Sequence, residues 1–225
     1  MAEKKLLILR LEGALQGWDA SSKWDERGAG DFPTKSGVVG LLGCALGLER
    51  GSPELVQLNE AVTMVVRADR RGERVIDFQT VTGSPLRNAE GKPKSTGNTI
   101  ISRRSYLQDA CFTVFLSVDT EWHGRLTDAL RAPKWCVYLG RKTCVPSRPV
   151  LECVDPPFAG LSEALYAYPP AARAVYPMDF ETEEPDDSLN SFTRADSLVA
   201  ADRGFARRRV WRGSIEEEHH VSDEN

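Results

Sequence analysis

Residues 31–50 read DFPTKSGVVGLLGCALGLER, and this stretch predicts a loop leading into a glycine-containing helix that starts at Thr34 or Ser36. The glycines at positions 37, 40, 43 and 47 are spaced three, three and four residues apart, so they share one helix face. Glycine inside a helix costs roughly 1 kcal/mol relative to alanine. Because a face without side chains lets another backbone approach closely, we expect this helix to pack tightly on a sheet.

The start of the same helix predicts an anion site. Lys35 and Ser36 lie where backbone N–H groups are free and the helix dipole is positive, which favours a phosphate. The order G-x-x-x-x-G-K-[ST] is absent, so nucleoside triphosphate binding is not expected.

Outward from this helix, apolar and turn patterns predict the remaining elements of an α+β fold. Strands are predicted at residues 5–13, 110–118 and 135–140, a hairpin at 64–81, and helices at 52–63 and 122–133. Apart from an insertion, the order matches the βαββαβ plan of ferredoxin-like, or RRM-type, domains. A domain of residues 1–150 is predicted, followed by a small irregular β-rich region at 151–213 and a disordered tail at 214–225.

The insertion at residues 82–108 is rich in basic side chains. Glu90 is its one acidic residue before Asp109, and Tyr106 adds an aromatic ring. Its five cations are Arg87, Lys92, Lys94, Arg103 and Arg104. Basic side chains interleaved with a flat ring suit a nucleic-acid strand, although an ordinary solvated loop explains the composition equally well.

A second cationic loop follows a predicted strand end at YLGRKTC, residues 138–144. A glycine followed by Arg141 and Lys142 exposes backbone donors beside two cations. This arrangement predicts a phosphate-binding loop.

Net charge differs between the two parts of the chain. Residues 1–150 carry 22 basic and 17 acidic side chains, whereas residues 151–225 carry 7 and 16. The asymmetry indicates either a solvated acidic C-terminal region or an N-terminal part that faces an anion. Within the acidic region, FARRRVWRG at 205–213 predicts a late strand with a basic side.

Other classes of site find little support. The sequence has no apolar run long enough for a membrane span and a short, charged N-terminus, so a cytoplasmic protein is expected. The five cysteines lack metal-ligand spacing and are predicted to be buried small hydrophobes. We predict no cofactor, no metal and no catalytic residue; His123, the one internal histidine, is interpreted as a capping or surface residue.

Four blocks occur in an order and spacing that resemble a known family: LILRLEGALQGWD, FPTKSGVVGLLGCALGLER, RRSYLQDACFTV and YLGRKTCVPSRP. They resemble the Cas-five (CasD) family subunit of type I-E CRISPR Cascade complexes, closely over residues 6–150 and more thinly over 151–213. The resemblance implies a RAMP-type ferredoxin-like domain with a protruding β-hairpin thumb, here at about residues 82–104.

The resemblance also implies a function and partners. In that family the subunit caps the complex and grips the 5′ handle of the CRISPR RNA, while the thumb contacts the RNA and the adjacent backbone subunit. It carries RNA contacts onto Lys35, Ser36, Arg103, Arg104, Tyr106, Arg141 and Lys142. Splayed bases are expected to pack on Tyr106, Trp18 or the thumb.

Three functional interpretations remain open. The favoured one is a non-catalytic RNA-binding subunit in antiviral defence, with the backbone and large Cascade subunits as partners; target DNA contact through the complex is left open. The alternative is a metal-independent endoribonuclease that processes precursor CRISPR RNA. The third is a protein scaffold without RNA contact, which the basic insertion disfavours.

Overall fold

A computed structural model describes residues 3–19, 26–83, 86–87, 91–93, 99–199 and 204–217. The helices are α1 (Lys35–Leu46), α2 (Pro53–Ala61), α3 (Thr120–Arg131) and α4 (Leu161–Ala167). Within these residues the strands are β1 (Lys4–Glu12), β2 (Leu15–Gln16), β3 (Glu26–Arg27), β4 (Val62–Arg70), β5 (Glu73–Thr82), β6 (Thr99–Gln108), β7 (Cys111–Asp119), β8 (Leu151–Val154), β9 (Met178–Thr182), β10 (Asn190–Leu198) and β11 (Phe205–Ile215).

The main sheet has the strand order β10-β11-β9-β4-β7-β1-β8, with every neighbouring pair antiparallel. The fold is therefore mixed α and β with antiparallel sheets. The C-terminal region contributes β8 at one edge and β9, β10 and β11 at the other. The predicted strand at 205–213 is confirmed as β11.

The central strands are buried on both faces, which explains their nearly continuous apolar runs. Leu7 and Leu9 of β1 pack with α1 and α3 residues on one side of the sheet. On the other side, Ile8 and the β7 residue Phe115 pack against Leu165 of α4. The sheet therefore separates two apolar layers, and the second is covered by a helix that the sequence did not predict.

A charged group fixes α4 to the sheet from within. Arg67 of β4 is fully buried and donates to Asp69 Oδ1 at 2.7 Å and to the carbonyls of Leu165 and Tyr168 at 2.8 Å. Asp69 also pairs with Arg10 of β1. These bonds satisfy the end of α4 and join it to the central strands.

A two-stranded ribbon, β5–β6, extends the β4–β7 pair beyond the main sheet. Glu73 pairs with Gln108 at its base and Thr82 with Thr99 at its far end. Short strands flank the base of β6: β2 pairs with it antiparallel and β3 parallel. The ordered ribbon thus begins at residue 73, earlier than the predicted thumb at 82–104, and most of 84–98 lies outside the described residues.

Two sequence predictions about strands were wrong. β4 and β5 do not form a hairpin, because β4 pairs with β7 and β9 while β5 pairs with β6. At the turn between them, Gly72 has φ +71° and lies against the Gln108 carbonyl, which leaves no room for a β-carbon. Residues 135–140 are irregular, and β8 supplies the strand after α3.

Helix α1 begins as predicted but its glycines have another role. Thr34 is the N-cap, and its Oγ1 accepts from the Gly37 N–H at 3.1 Å. A β-carbon at Gly37 would meet the Trp18 ring and one at Gly43 would meet Leu55, while Gly40 has open space. The glycines therefore accommodate side chains rather than a neighbouring backbone.

No helix within the described residues is long and apolar enough to cross a membrane.

Candidate nucleic-acid interface

The ribbon carries the most exposed of the predicted binding residues. Arg103 is exposed on β6, and its guanidinium carbon lies 5.8 Å from the centre of the Phe78 ring on β5. Phe78 is 55% exposed and its neighbour Ile76 is 66% exposed. Phe78 and Arg103 occupy opposite positions in the antiparallel register, so both side chains are on one face. This face presents an aromatic ring and a cation to solvent.

Arg104 lies on the other face at the base of the ribbon. Its backbone pairs with Arg27 of β3, and its side chain is half-buried. Arg104 Nε is buried and has no hydrogen-bond partner among the described residues. A buried donor without an acceptor is costly unless a ligand completes it.

The loop at residues 140–142 packs against this base. Arg141 donates to the Ser105 carbonyl at 2.8 Å and to the Arg27 carbonyl at 3.0 Å, and its guanidinium carbon lies 4.7 Å from the centre of the Tyr106 ring. Arg141 therefore braces β3 against β6 rather than offering its guanidinium to a phosphate. The adjacent Lys142 is exposed.

Both aromatic residues predicted to stack on bases are buried. Trp18 is 1% exposed and donates from Nε1 to Gln16 Oε1 at 2.8 Å. Tyr106 is 3% exposed, and Arg141 lies over its ring. A base cannot reach either ring in this conformation, because the core and a guanidinium occupy those faces.

The predicted anion site at the start of α1 contains carboxylates from the chain itself. The Lys35 N–H donates to Asp196 Oδ2 of β10 at 2.9 Å. Lys35 is 8% exposed, and its Nζ donates to Glu183 Oε2 at 3.1 Å. Arg208 of β11 binds both carboxylates, at 2.7 Å to Asp196 and 3.0 Å to Glu183. An RNA phosphate would have to displace Asp196, so the structure does not leave this site open.

Burial and pairing together act on Arg208. Burial lowers its pKa, but the hydrogen bond and charge of Asp196, with the charges of Glu183 and Glu181, outweigh burial and raise the pKa above its ordinary value. The guanidinium is therefore held as a cation inside this cluster.

The remaining predicted residues are less informative. Ser36 is half-buried, with its Oγ 3.5 Å from Thr34 Oγ1. Arg87 and Lys92 are exposed on the ribbon side of the molecule, and Arg87 donates to the Gly91 carbonyl at 2.8 Å. Lys94 lies outside the described residues.

The predicted cations therefore converge only in part. Arg104 and the 141–142 loop meet at the base of the ribbon, with Arg103 on its opposite face, whereas Lys35 belongs to the carboxylate cluster near β10 and β11. Phe78 and Ile76 were missed as surface residues. The signal was present in ERVIDFQTVT, because this strand places apolar residues on both faces.

Comparisons with known proteins agree with this architecture. A family model described as CRISPR-associated protein (Cas_Cas5) matches residues 6–212. The CRISPR system Cascade subunit CasD of Escherichia coli (strain K12) is 31% identical over 221 residues, which cover 91% of this chain and 94% of that protein.

Two solved structures are similar over nearly the whole chain. A chain of a CRISPR RNA-guided surveillance complex has a TM-score of 0.77 at 30% identity, covering 95% of this chain and 90% of that one. A structure described as a Cas protein has a TM-score of 0.72 at 31% identity, covering 95% and 96%. On the match over residues 6–212 and the near-complete CasD relationship, this chain belongs to the Cas5 family of CRISPR-associated proteins.

Proposed function

We propose that this chain is the non-catalytic subunit of a type I-E Cascade complex that holds the 5′ handle of the CRISPR RNA. The relationship to the CasD subunit of Cascade and to a chain of an RNA-guided surveillance complex supports an RNA-binding role in such an assembly. The β5–β6 ribbon is the thumb in this proposal. A cytoplasmic location and a role in antiviral defence go with it.

The ribbon and its base carry the proposal, because their cations have no carboxylate partner. Arg103, Arg104 and Lys142 form no ion pair with any described residue, whereas Lys35 and Arg141 are bonded within the protein. Phosphate contacts of this kind position an RNA strand without reading its sequence. Arg104 and Lys142 are proposed to hold handle phosphates at the base.

Phe78 replaces the buried rings as the proposed stacking surface. Its ring is exposed beside Arg103, and a flat ring next to a guanidinium suits an unstacked base. Bases of a single-stranded handle can be splayed onto this face while the phosphates contact the cations.

The same face offers an apolar surface for a protein neighbour. Ile76 is 66% exposed and Ile101 is 52% exposed, on the same face of adjacent strands. Apolar residues at the core of an interface are what a stable protein contact buries. We infer that this surface packs on the adjacent backbone subunit, while the acidic C-terminal region lies toward the large subunit.

The topology supports a ferredoxin-like, RAMP-type core for this subunit. In chain order the elements β1, α1, β4, β7, α3 and β8 alternate as βαββαβ, and their strands are adjacent in the order β4-β7-β1-β8. Strands β9, β10 and β11 extend this core at the β4 edge.

RNA cleavage is not part of the proposal. His123 is buried on α3 with Nε2 3.1 Å from Asp155 Oδ1, and Tyr106 is covered by Arg141. A general base and acid must reach the RNA 2′-hydroxyl region for metal-free cleavage. Incubation of the purified chain with repeat RNA in EDTA tests this directly: site-specific products would replace the proposal with the endoribonuclease alternative.

Binding of a fluorescent handle RNA to the full chain, followed by anisotropy at 50–200 mM salt, tests the RNA site. We expect R103A/R104A to lower the slope of log K against log [salt] by about 1.4, since each single-strand phosphate contact contributes about 0.7. F78A should weaken binding about 10-fold or more, as expected for one lost stacking contact.

The control is R125A/R131A, which removes two exposed arginines from α3 and changes the net charge equally. R103A alone covers the case in which loss of the half-buried Arg104 perturbs folding. Equal slopes for wild type, R103A and R103A/R104A would contradict the proposed site.

A further inference from the structure

The β10–β11 hairpin has two chemically different faces. Opposite positions in its register include Arg194 with Arg208 and Thr193 with Arg209. Because side chains alternate along each strand, Arg208 and Arg209 point to opposite sides of the sheet. The acidic C-terminal region therefore contains arginines on both faces of one hairpin.

Arginines on the inner face are neutralised by carboxylates. Arg208 binds Asp196 and Glu183. Arg194 and Arg212 both bind Glu181. These pairs are mostly buried against α1 and β9, so they hold the hairpin to the domain.

The outer face is cationic and uncompensated. Arg207 and Arg209 are exposed, two residues apart on the same side of β11, and form no hydrogen bond or ion pair with any described residue. The half-buried Trp211 continues this side of the strand. On β10 the neighbouring outer positions are Ser191, Thr193 and Ala195, none of which is acidic.

The nearby acidic connection at residues 183–189 does not supply partners for them. Glu183 belongs to the inner cluster. Glu184 accepts a backbone hydrogen bond from Ser162. Asp186 accepts from the N–H and hydroxyl of Ser188.

The chemistry of the outer face matches a sugar-phosphate backbone. Arginine forks and serine or threonine hydroxyls are standard phosphate donors, and two arginines spaced along one strand can follow a polyanion. A protein interface would need an apolar centre, and Ser191, Thr193, Arg207 and Arg209 do not provide one. We propose that this face, defined by Ser191, Thr193, Arg207, Arg209 and Trp211, binds a nucleic-acid backbone without sequence preference.

This surface is separate from the ribbon. Trp211 and Val65 both pair with Thr182, so they lie level across β9. β11 runs parallel to β4, and Arg207 and Arg209 precede Trp211, toward the end of the sheet where β4 begins. The ribbon leaves the opposite end, beyond Arg70. The proposal therefore concerns a second stretch of nucleic acid and does not depend on the handle assignment.

Salt-dependent binding of the full chain to three fluorescent probes tests the proposal: a 20-nucleotide RNA strand, the same sequence as single-stranded DNA, and its DNA duplex. R207A/R209A should lower the slope of log K against log [salt] by about 1.4 on the single strands or about 1.8 on the duplex. The probe with the largest loss identifies whether RNA or DNA is the preferred strand. The loss should persist in the R103A/R104A background, which separates it from the ribbon site.

R125A/R131A is the matched control and should leave all three slopes at the wild-type value. Thermal unfolding by circular dichroism verifies that each variant is folded; for a destabilised double variant, R209A alone is used. Unchanged slopes on every probe, or equal losses in the control pair, would overturn the proposal. A labelled polyglutamate peptide that loses affinity to the same extent as the nucleic acids would overturn it in favour of an acidic protein partner.

Discussion

Asp196 Oδ2 accepts a hydrogen bond from the Lys35 N–H at 2.9 Å, so a carboxylate from the C-terminal hairpin occupies the first turn of α1. The two residues are 161 positions apart in the chain. Asp196 is 1% exposed and also binds Arg208 through both of its oxygens. A helix N-terminus that favours an anion is thus satisfied from within the protein.

We expect D196A to destabilise the protein by about 3–5 kcal/mol, because the change leaves the buried Arg208 and the α1 amides without their acceptor. Urea unfolding followed by tryptophan fluorescence measures the change. D187A removes an exposed carboxylate from the same region and should stay within about 0.5 kcal/mol of wild type. Similar unfolding midpoints for the two variants would contradict the structural role of Asp196.

The α1 glycines provide a matched pair of substitutions. A β-carbon at Gly40 meets nothing within 4 Å, so G40A should stabilise the protein by roughly 0.5–1 kcal/mol through its higher helix propensity. A β-carbon at Gly37 would lie 2.8 Å from Thr34 Oγ1 and 3.0 Å from Trp18 Cε3. G37A should therefore destabilise by about 1–3 kcal/mol through overpacking. Thermal melts that move both variants in the same direction would refute this assignment.

Arg141 and Lys142 are adjacent cations with different expected roles. R141A removes three hydrogen bonds to the carbonyls of Ser105, Arg27 and Gly28, and should lower the free energy of unfolding by about 2–4 kcal/mol. K142A should leave stability unchanged within about 0.5 kcal/mol but lower the salt slope of handle binding by about 0.7. Chemical unfolding and anisotropy measured on both variants separate the roles. A large stability loss in K142A with none in R141A would reverse them.

Thiol reactivity should differ sharply between Cys136 and Cys111. Cys136 is exposed, contrary to the expectation that all five cysteines are buried. Burial, with the negative charges of Glu12 and Asp69, raises the pKa of Cys111 to about 11. At pH 8 about one Cys111 in a thousand would be thiolate even if reagent could reach it.

Ellman's reagent at pH 8 should therefore show a fast phase that C136S abolishes. Cys111 should react only under denaturing conditions. Mass-spectrometric detection of rapid Cys111 labelling in the native protein would contradict its burial.

Local sequence patterns predicted the elements whose burial follows from neighbouring residues. β1, β7, α3 and β11 were recognisable because apolar periodicity and boundary residues act within a few positions. Pairing of β5 with β6 instead of β4 was not recognisable, since it depends on the bend at Gly72 and on strands far apart in sequence. The same limit applies to α4, whose end is fixed by the buried Arg67.

The candidate site shows a similar division. The chemical types of Arg103, Arg104 and Lys142 could be read from the sequence, and the structure leaves them without internal partners. Aromatic identity alone could not distinguish the buried Trp18 and Tyr106 from the exposed Phe78. Nor could it reveal that Lys35 is neutralised, because its partners come from β10 and from the residue after β9.

The position of β9 between β4 and β11 has a practical consequence for dissecting the protein. A fragment ending at residue 150 would lose β9 beside β4 and β8 beside β1, leaving the backbone donors and acceptors of two inner strands open along their length. Open strand edges recruit other chains. Shortened versions of this protein should therefore aggregate, and studies of its ribbon require the intact polypeptide.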